Sequence, residues 1–144
     1  MAKTSQVIVI EDEASHIYDV LTDFAHYPNF FSQVKEAKIL VQKKTQQDVS
    51  FVIDLLEPIS CTLRFQFEQP SQLRWELLES NKLKKNHGSW QISELEPGVC
   101  EVAYSTEVEL NVWVPDAILQ GVIKLHLPAM LQSLKQEVER RYAR

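Results

Sequence analysis

Two cysteines, three glycines and six prolines are all that the 144 residues contain of the types that staple or punctuate a chain. Cys61 and Cys100 are too few and too far apart for a zinc site or a disulfide framework, and each stands in a strand-like run where a free thiol acts as a small apolar side chain. A reducing, cytoplasmic setting is therefore expected. The glycines and prolines are scattered, with no linker, repeat or low-complexity stretch, which predicts one domain over residues 1–144. No run approaches 18 uninterrupted apolar residues and no basic stretch leads into one, so neither a transmembrane segment nor an export signal is expected. Positive charge is short as well. Against 20 acidic side chains stand 15 Lys and Arg, a net charge of -5, which argues against nucleic acid or an anionic membrane as a general partner. Gly-rich phosphate loops, nucleophile elbows, Cys-x-x-Cys and His-Glu-x-x-His are all missing. No metal or cofactor is implied.

What the chain does contain is a change of period. Gln6 to Glu11 is a short run rich in Val and Ile, and Ile17, Tyr18, Val20, Leu21 and Phe24 then recur at helical spacing. Tyr27-Pro28 is expected to break that helix, and Asn29-Phe30-Phe31 to form a second short helical turn. From Gln33 to Asn111 the period is 2. Ala37, Ile39 and Val41 share one face; Lys43 to Asp48 reads as a turn into a strand from Val49 to Leu56; Cys61, Leu63, Phe65 and Phe67 alternate with Thr62, Arg64, Gln66 and Glu68. Leu73, Trp75 and Leu77 follow, then Trp90 and Ile92 after a polar stretch from Asn81 to His87. Val102, Tyr104, Thr106, Val108 and Leu110 close the series. Pro115 opens a long helix that runs to the C-terminus.

Seven strands, two short helices after the first of them and one long helix at the end predict an α+β fold. An antiparallel sheet with one apolar face must cover it, and the last helix is the only element long enough to do so. The sheet is expected to curl around that helix.

Ala14-Ser15-His16-Ile17-Tyr18-Asp19-Val20-Leu21-Thr22-Asp23-Phe24, then Tyr27-Pro28-Asn29-Phe30-Phe31, and Gly88-Ser89-Trp90, resemble the START-like superfamily, in particular its polyketide cyclase/dehydrase and coenzyme Q-binding branch. The likeness covers nearly the whole chain. It implies the helix-grip fold and a cavity for a hydrophobic small molecule such as a lipid, quinone or polyketide-like ring. Ser32 and Gln33 depart from the pattern of the coenzyme Q-binding members. Two other functions are similar to those of superfamily members: a cyclase or dehydratase, and a protein-interaction module like the ribosome-associating toxins.

The inward-facing aromatics Phe65, Trp75, Trp90 and Tyr104 are the leading candidates for a ligand surface, with Phe67 on the same face. Thr106 shares the face of Tyr104, so two hydroxyls point inward and need partners. At about 100° per residue, Leu119, Ile123, Leu127, Met130, Leu134 and Val138 form one apolar arc of the long helix. Ile118, Val122 and Leu125 fall on another side, in the N-terminal half only, where they would serve as a lid, a pocket wall or a surface for a protein partner or self-association. His126 borders the arc. The expected ligand-binding set is thus Phe65, Trp75, Trp90, Tyr104, Thr106, Leu119, Val122, Ile123 and His126, and no catalytic residue is assigned. If chemistry occurs, Tyr104, Thr106 or His126 would orient or protonate a carbonyl. His16, His26 and His87 read as solvated, as does the basic tail of Lys135, Arg140, Arg141 and Arg144. Asp54 lies in a run apolar on both faces and is solvated if its face is the outer one. Pro128, which offers no donor to Lys124, is a candidate hinge.

Overall fold

The computed structural model describes residues 2–55, 57–68, 70–111 and 113–143; Leu56 and Arg144, which the sequence reading assigned to a strand and to the basic tail, lie outside them. The chain runs β1 (Ala2–Ile10), α1 (Ala14–Leu21), a 3₁₀ turn at Phe24–His26, α2 (Tyr27–Phe30), β2 (Val34–Gln42), β3 (Gln46–Leu55), β4 (Glu57–Glu68), β5 (Gln72–Ser80), β6 (Leu83–Glu96), β7 (Val99–Leu110) and α3 (Asp116–Arg141). The strands form one antiparallel sheet in the order β1-β7-β6-β5-β4-β3-β2. This is the expected α+β helix-grip architecture, an open sheet held against a long C-terminal helix.

Local chemistry moves several boundaries. α1 stops at Leu21, where the Thr22 hydroxyl returns a bond to the Tyr18 carbonyl at 2.9 Å. Pro28 therefore breaks nothing: it sits in the first turn of α2, where a missing N–H leaves no bond unmade. The turn read from Lys43 to Asp48 is shorter, because Gln46, Gln47 and Asp48 belong to β3. Asp48 is buried there, with Arg64 Nε donating to its Oδ1 at 2.9 Å. That guanidinium holds the Asp48 carboxyl below the usual carboxylate range. In β2 a register shift between Ile39 and Val41 turns Val41 away from the face of Ala37 and Ile39 and leaves it 39% exposed. The polar stretch before Trp90 also proves to be mostly strand, since β6 begins at Leu83.

Pro115 is the residue before α3 and not its first residue. The buried stripe of α3 is Leu119, Ile123, Leu127, Leu131, Leu134 and Val138. Leu131 takes the place expected for Met130, because steps of four along the helix carry the stripe there and leave Met130 at its edge. Complete burial of a Leu contributes about 1.5–3 kcal/mol, so this stripe anchors the helix. Both ends are also tied by polar contacts. At the C-terminal end Arg141 meets Asp23 at 2.8 Å and Glu137 at 2.7 Å, and the Tyr142 hydroxyl donates to Asp19 at 3.0 Å. Near the N-terminal end the Gln120 amide donates to the Lys3 carbonyl at 2.9 Å.

Two of the three histidines expected to be solvated are exposed but lie against a carboxylate, His26 Nδ1 on Asp23 and His87 Nε2 on Glu107, each at 2.7 Å. His16 departs further from expectation. Its Nδ1 lies 2.6 Å from Asp12 and its Nε2 2.9 Å from Glu13, and its ring stacks on Tyr142 at 3.7 Å. The bend just before α1 brings the two carboxylates to it, and the return of α3 supplies the ring.

Candidate functional site

Between the concave face of the sheet and α3 lies a cavity of about 190 Å³ with an almost wholly apolar wall. Alternation along the strands brings Phe51, Phe65, Trp75, Trp90 and Tyr104 to it, and α3 supplies Ile123, His126, Leu127 and Met130. The aromatics brace one another. Trp75 and Tyr104 stack at 5.6 Å with their planes 28° apart, and Trp90 meets Tyr104 at 4.7 Å. Gly88 makes this possible: it lies opposite Trp75 across the β5–β6 pair and leaves room for the indole.

Of the nine residues expected to form the ligand surface, Phe65, Trp75, Trp90, Tyr104, Thr106, Ile123 and His126 line this cavity. Leu119 and Val122 do not. Leu119 is buried one turn nearer the start of α3, where it borders a separate surface depression beside Trp113 and Val114. Val122 is rotated about 100° from Ile123 on the helix, half-buried beside the exposed Ile118 and Leu125. Phe67, on the same face as Phe65, also lies outside the lining. It packs instead against Tyr18 and Phe24.

Several lining residues have no counterpart in that expectation: Tyr27, Phe31, Gln33, Val34, Asp54 and Asn86. The Tyr-Pro-x-Phe segment, expected only to end one helix and form a short helical turn, contributes Tyr27 and Phe31 to the wall. Tyr27 is buried with its hydroxyl donating to the Leu21 carbonyl, and burial raises its pKa.

Most of the polar atoms around the cavity are committed. The indole N–H of Trp75 donates to Asn86 Oδ1 at 3.0 Å, and the Thr106 hydroxyl donates to the His87 carbonyl at 3.3 Å. Burial pushes the Tyr104 hydroxyl up to about 12, opposed by its hydrogen bond with Thr106, so it stays protonated at neutral pH. The Gln33 amide meets Nδ1 of His126 at 2.9 Å, a bridge between the β2 approach and α3. With the Gln33 N–H as donor the ring proton lies on Nε2, and no described residue meets that atom. Asp54 borders the lining too, half-exposed with its carboxylate 3.6 Å from Lys35.

Among the described residues no group of His, Cys, Asp or Glu has the arrangement of a metal site, and no helix is long and apolar enough to cross a membrane. No Ser or Cys nucleophile lines the cavity among them. Cys61 is buried in β4, and burial pushes its thiol up to about 12.

The family model described as polyketide cyclase/dehydrase and lipid transport matches residues 10–135. No curated protein sequence matches the chain. Among solved structures, the chain is similar to a START superfamily protein of Mycobacterium smegmatis (17% identity, 96% of this chain and 97% of that one, TM-score 0.86). It is also similar to the Zhui aromatase/cyclase of Streptomyces sp. R1128 (18%, 96% and 94%, TM-score 0.87). A third similar structure is a STAR-related lipid transfer protein fragment of Xanthomonas axonopodis (14%, 95% and 85%, TM-score 0.81). At such identities the structures establish a shared fold.

Proposed function

The chain belongs to the polyketide cyclase/dehydrase and lipid transport family, and from that premise we propose that it binds and carries a hydrophobic small molecule, a lipid, quinone or polyketide-like ring, without altering it. One observation carries the reading. The 190 Å³ cavity is walled by aromatic and aliphatic side chains, while the polar atoms of Trp75 and Thr106 are already satisfied by protein partners. Affinity would come from apolar burial, with Tyr104 and His126 orienting the ligand. Phe65, Trp75, Trp90 and Ile123 form the contact surface in this reading, and Thr106 supports Tyr104. No cofactor takes part. Residues 1–144 act as one ligand-binding domain, a reading supported by the single sheet and the span of the family match. A cytoplasmic setting belongs to it as well, supported by the unpaired, buried Cys61 and Cys100. The test is to equilibrate the purified protein with a lipid extract and examine it by native mass spectrometry. Repeated recovery of the protein with nothing bound sinks the carrier reading.

A cyclase or dehydratase is the second reading, favoured by the fact that Tyr104, Thr106 and His126 line one cavity. Incubation with a linear poly-β-ketone thioester analogue, followed by ultraviolet absorbance of any new aromatic ring, tests it. A rate equal to that in buffer removes it. The N-terminal half of α3 is a separate candidate surface for a protein partner or self-association, because Ile118 is 52% and Leu125 73% exposed. Sedimentation of the protein and of Ile118→Glu checks this, and a monomer in both cases excludes self-association.

A further inference from the structure

On the reading that the cavity is a binding site, we propose that its occupant is a neutral aromatic of at most two fused rings, bearing one hydroxyl or carbonyl oxygen. Size sets the first limit. An apolar cavity of about 150 Å³ admits benzene, and drug-sized ligands occupy about 300 Å³ or more. At about 190 Å³ the cavity has room for one ring beyond benzene. A phospholipid, a sterol or a four-ring polyketide would have to project beyond this volume through the open side of the cavity.

The wall sets the second limit. Trp75, Trp90 and Tyr104 are locked by mutual contact, and Phe51 meets Phe65 edge-on at 6.0 Å. Ring faces and edges held rigidly complement another ring better than a flexible chain, which would lose rotamer freedom in so small a space.

Charge sets the third. No Lys or Arg lines the cavity among the described residues, and the one carboxylate on its lining is Asp54. A bound carboxylate would be desolvated with no Lys or Arg on the lining to pair it, since the nearby Lys35 is already engaged by Asp54 at 3.6 Å. A fatty acid or aryl acid is therefore disfavoured, whereas a neutral oxygen is not. Nε2–H of His126 can donate to that oxygen, and the Tyr104 hydroxyl on the same lining offers a second polar group.

The experiment follows tryptophan emission and calorimetric heat on titration with 1-naphthol, 1-hydroxypyrene, 2-naphthoate and oleate at neutral pH. We expect 1-naphthol to bind at least about tenfold tighter than the other three, about 1.4 kcal/mol. Ile123→Trp, which fills the cavity from α3, should abolish that binding with far-UV circular dichroism unchanged; Leu127→Phe serves if the first variant does not fold. Hydroxypyrene, naphthoate or oleate binding as tightly as naphthol overturns the assignment and leaves the carrier reading standing. Naphthol binding that survives the filling variant also overturns it, since the ligand then sits elsewhere. If no probe binds, the assignment falls, and the carrier reading falls with it only when the lipid extract also yields nothing.

Discussion

Trp75 occupies the space that a side chain at Gly88 would need: a Cβ built on Gly88 falls 2.6 Å from the indole and 2.2 Å from the Ser105 carbonyl oxygen. The indole can rotate away, but the Ser105 oxygen is backbone in β7. Gly88→Ala must therefore shift the β6–β7 pair and push Trp75 aside as well. Overpacking of this kind destabilises by about 1–3 kcal/mol. Urea unfolding of the variant should show a loss in that range together with altered native tryptophan emission, and wild-type values on both would refute the packing account.

The Gln33–His126 bridge spans the cavity between the β2 approach and α3. Gln33→Ala removes it, and a half-buried hydrogen bond of this type contributes about 0.5–1.5 kcal/mol. Stability should fall by no more than that, while an apolar dye should enter faster in stopped-flow mixing. An unchanged rate of dye uptake would show that the bridge is not a latch.

Pro128 lies within α3, which runs unbroken from Asp116 to Arg141. Restoring the backbone donor with Pro128→Ala should change stability by less than about 1.5 kcal/mol yet slow the uptake of apolar dye. Amide exchange supplies the independent check, with residues 116–127 expected to be less protected than the strands. Even protection along the helix and unchanged uptake would remove the hinge.

Glu137 is buried between Arg140 and Arg141, whose hydrogen bonds hold its pKa down from 4.5 to about 2. A depressed carboxyl pKa stabilises the folded state above the unfolded value and loses that contribution as pH falls through the folded one. Thermal unfolding of Glu137→Gln should therefore lie below wild type at pH 6, with the gap closing between pH 4.5 and about 2. A gap that persists at the acid end would assign the effect to packing instead.

Much of this architecture could be read from period alone. The alternation of Cys61, Leu63 and Phe65, and of Val102, Tyr104 and Thr106, assigned the concave face correctly because each side chain on a strand has only two directions to choose between. Period says less about position along an element. Leu119 and Ile123 share the α3 stripe, but one turn separates them and only Ile123 meets the cavity. Residues placed by tertiary contacts were harder still. Gln33 reaches His126 across 93 positions of sequence, and His16 meets Tyr142 only because α3 ends beside α1. Its departure from the coenzyme Q-binding pattern marked Gln33 as unusual, but nothing there pointed to His126. Val41 was lost to a register shift that nothing in its apolar neighbours foretells.

The pairing of β1 with β7 has a consequence during synthesis. Ala2 is matched to Val108 and Ile10 to Cys100, so the first of the seven strands to be made has its partner in the seventh. Hairpins from β2 to β6 can close as they emerge, whereas β1 must wait for about 90 further residues, and α3 comes later still. At translation rates of about 5–20 residues per second, that wait lasts roughly 5–20 seconds. The nascent chain spends it with Ile8 and Ile10 uncovered and without the β7 and α3 walls of the cavity, so any chaperone holding these residues would be needed chiefly at β1.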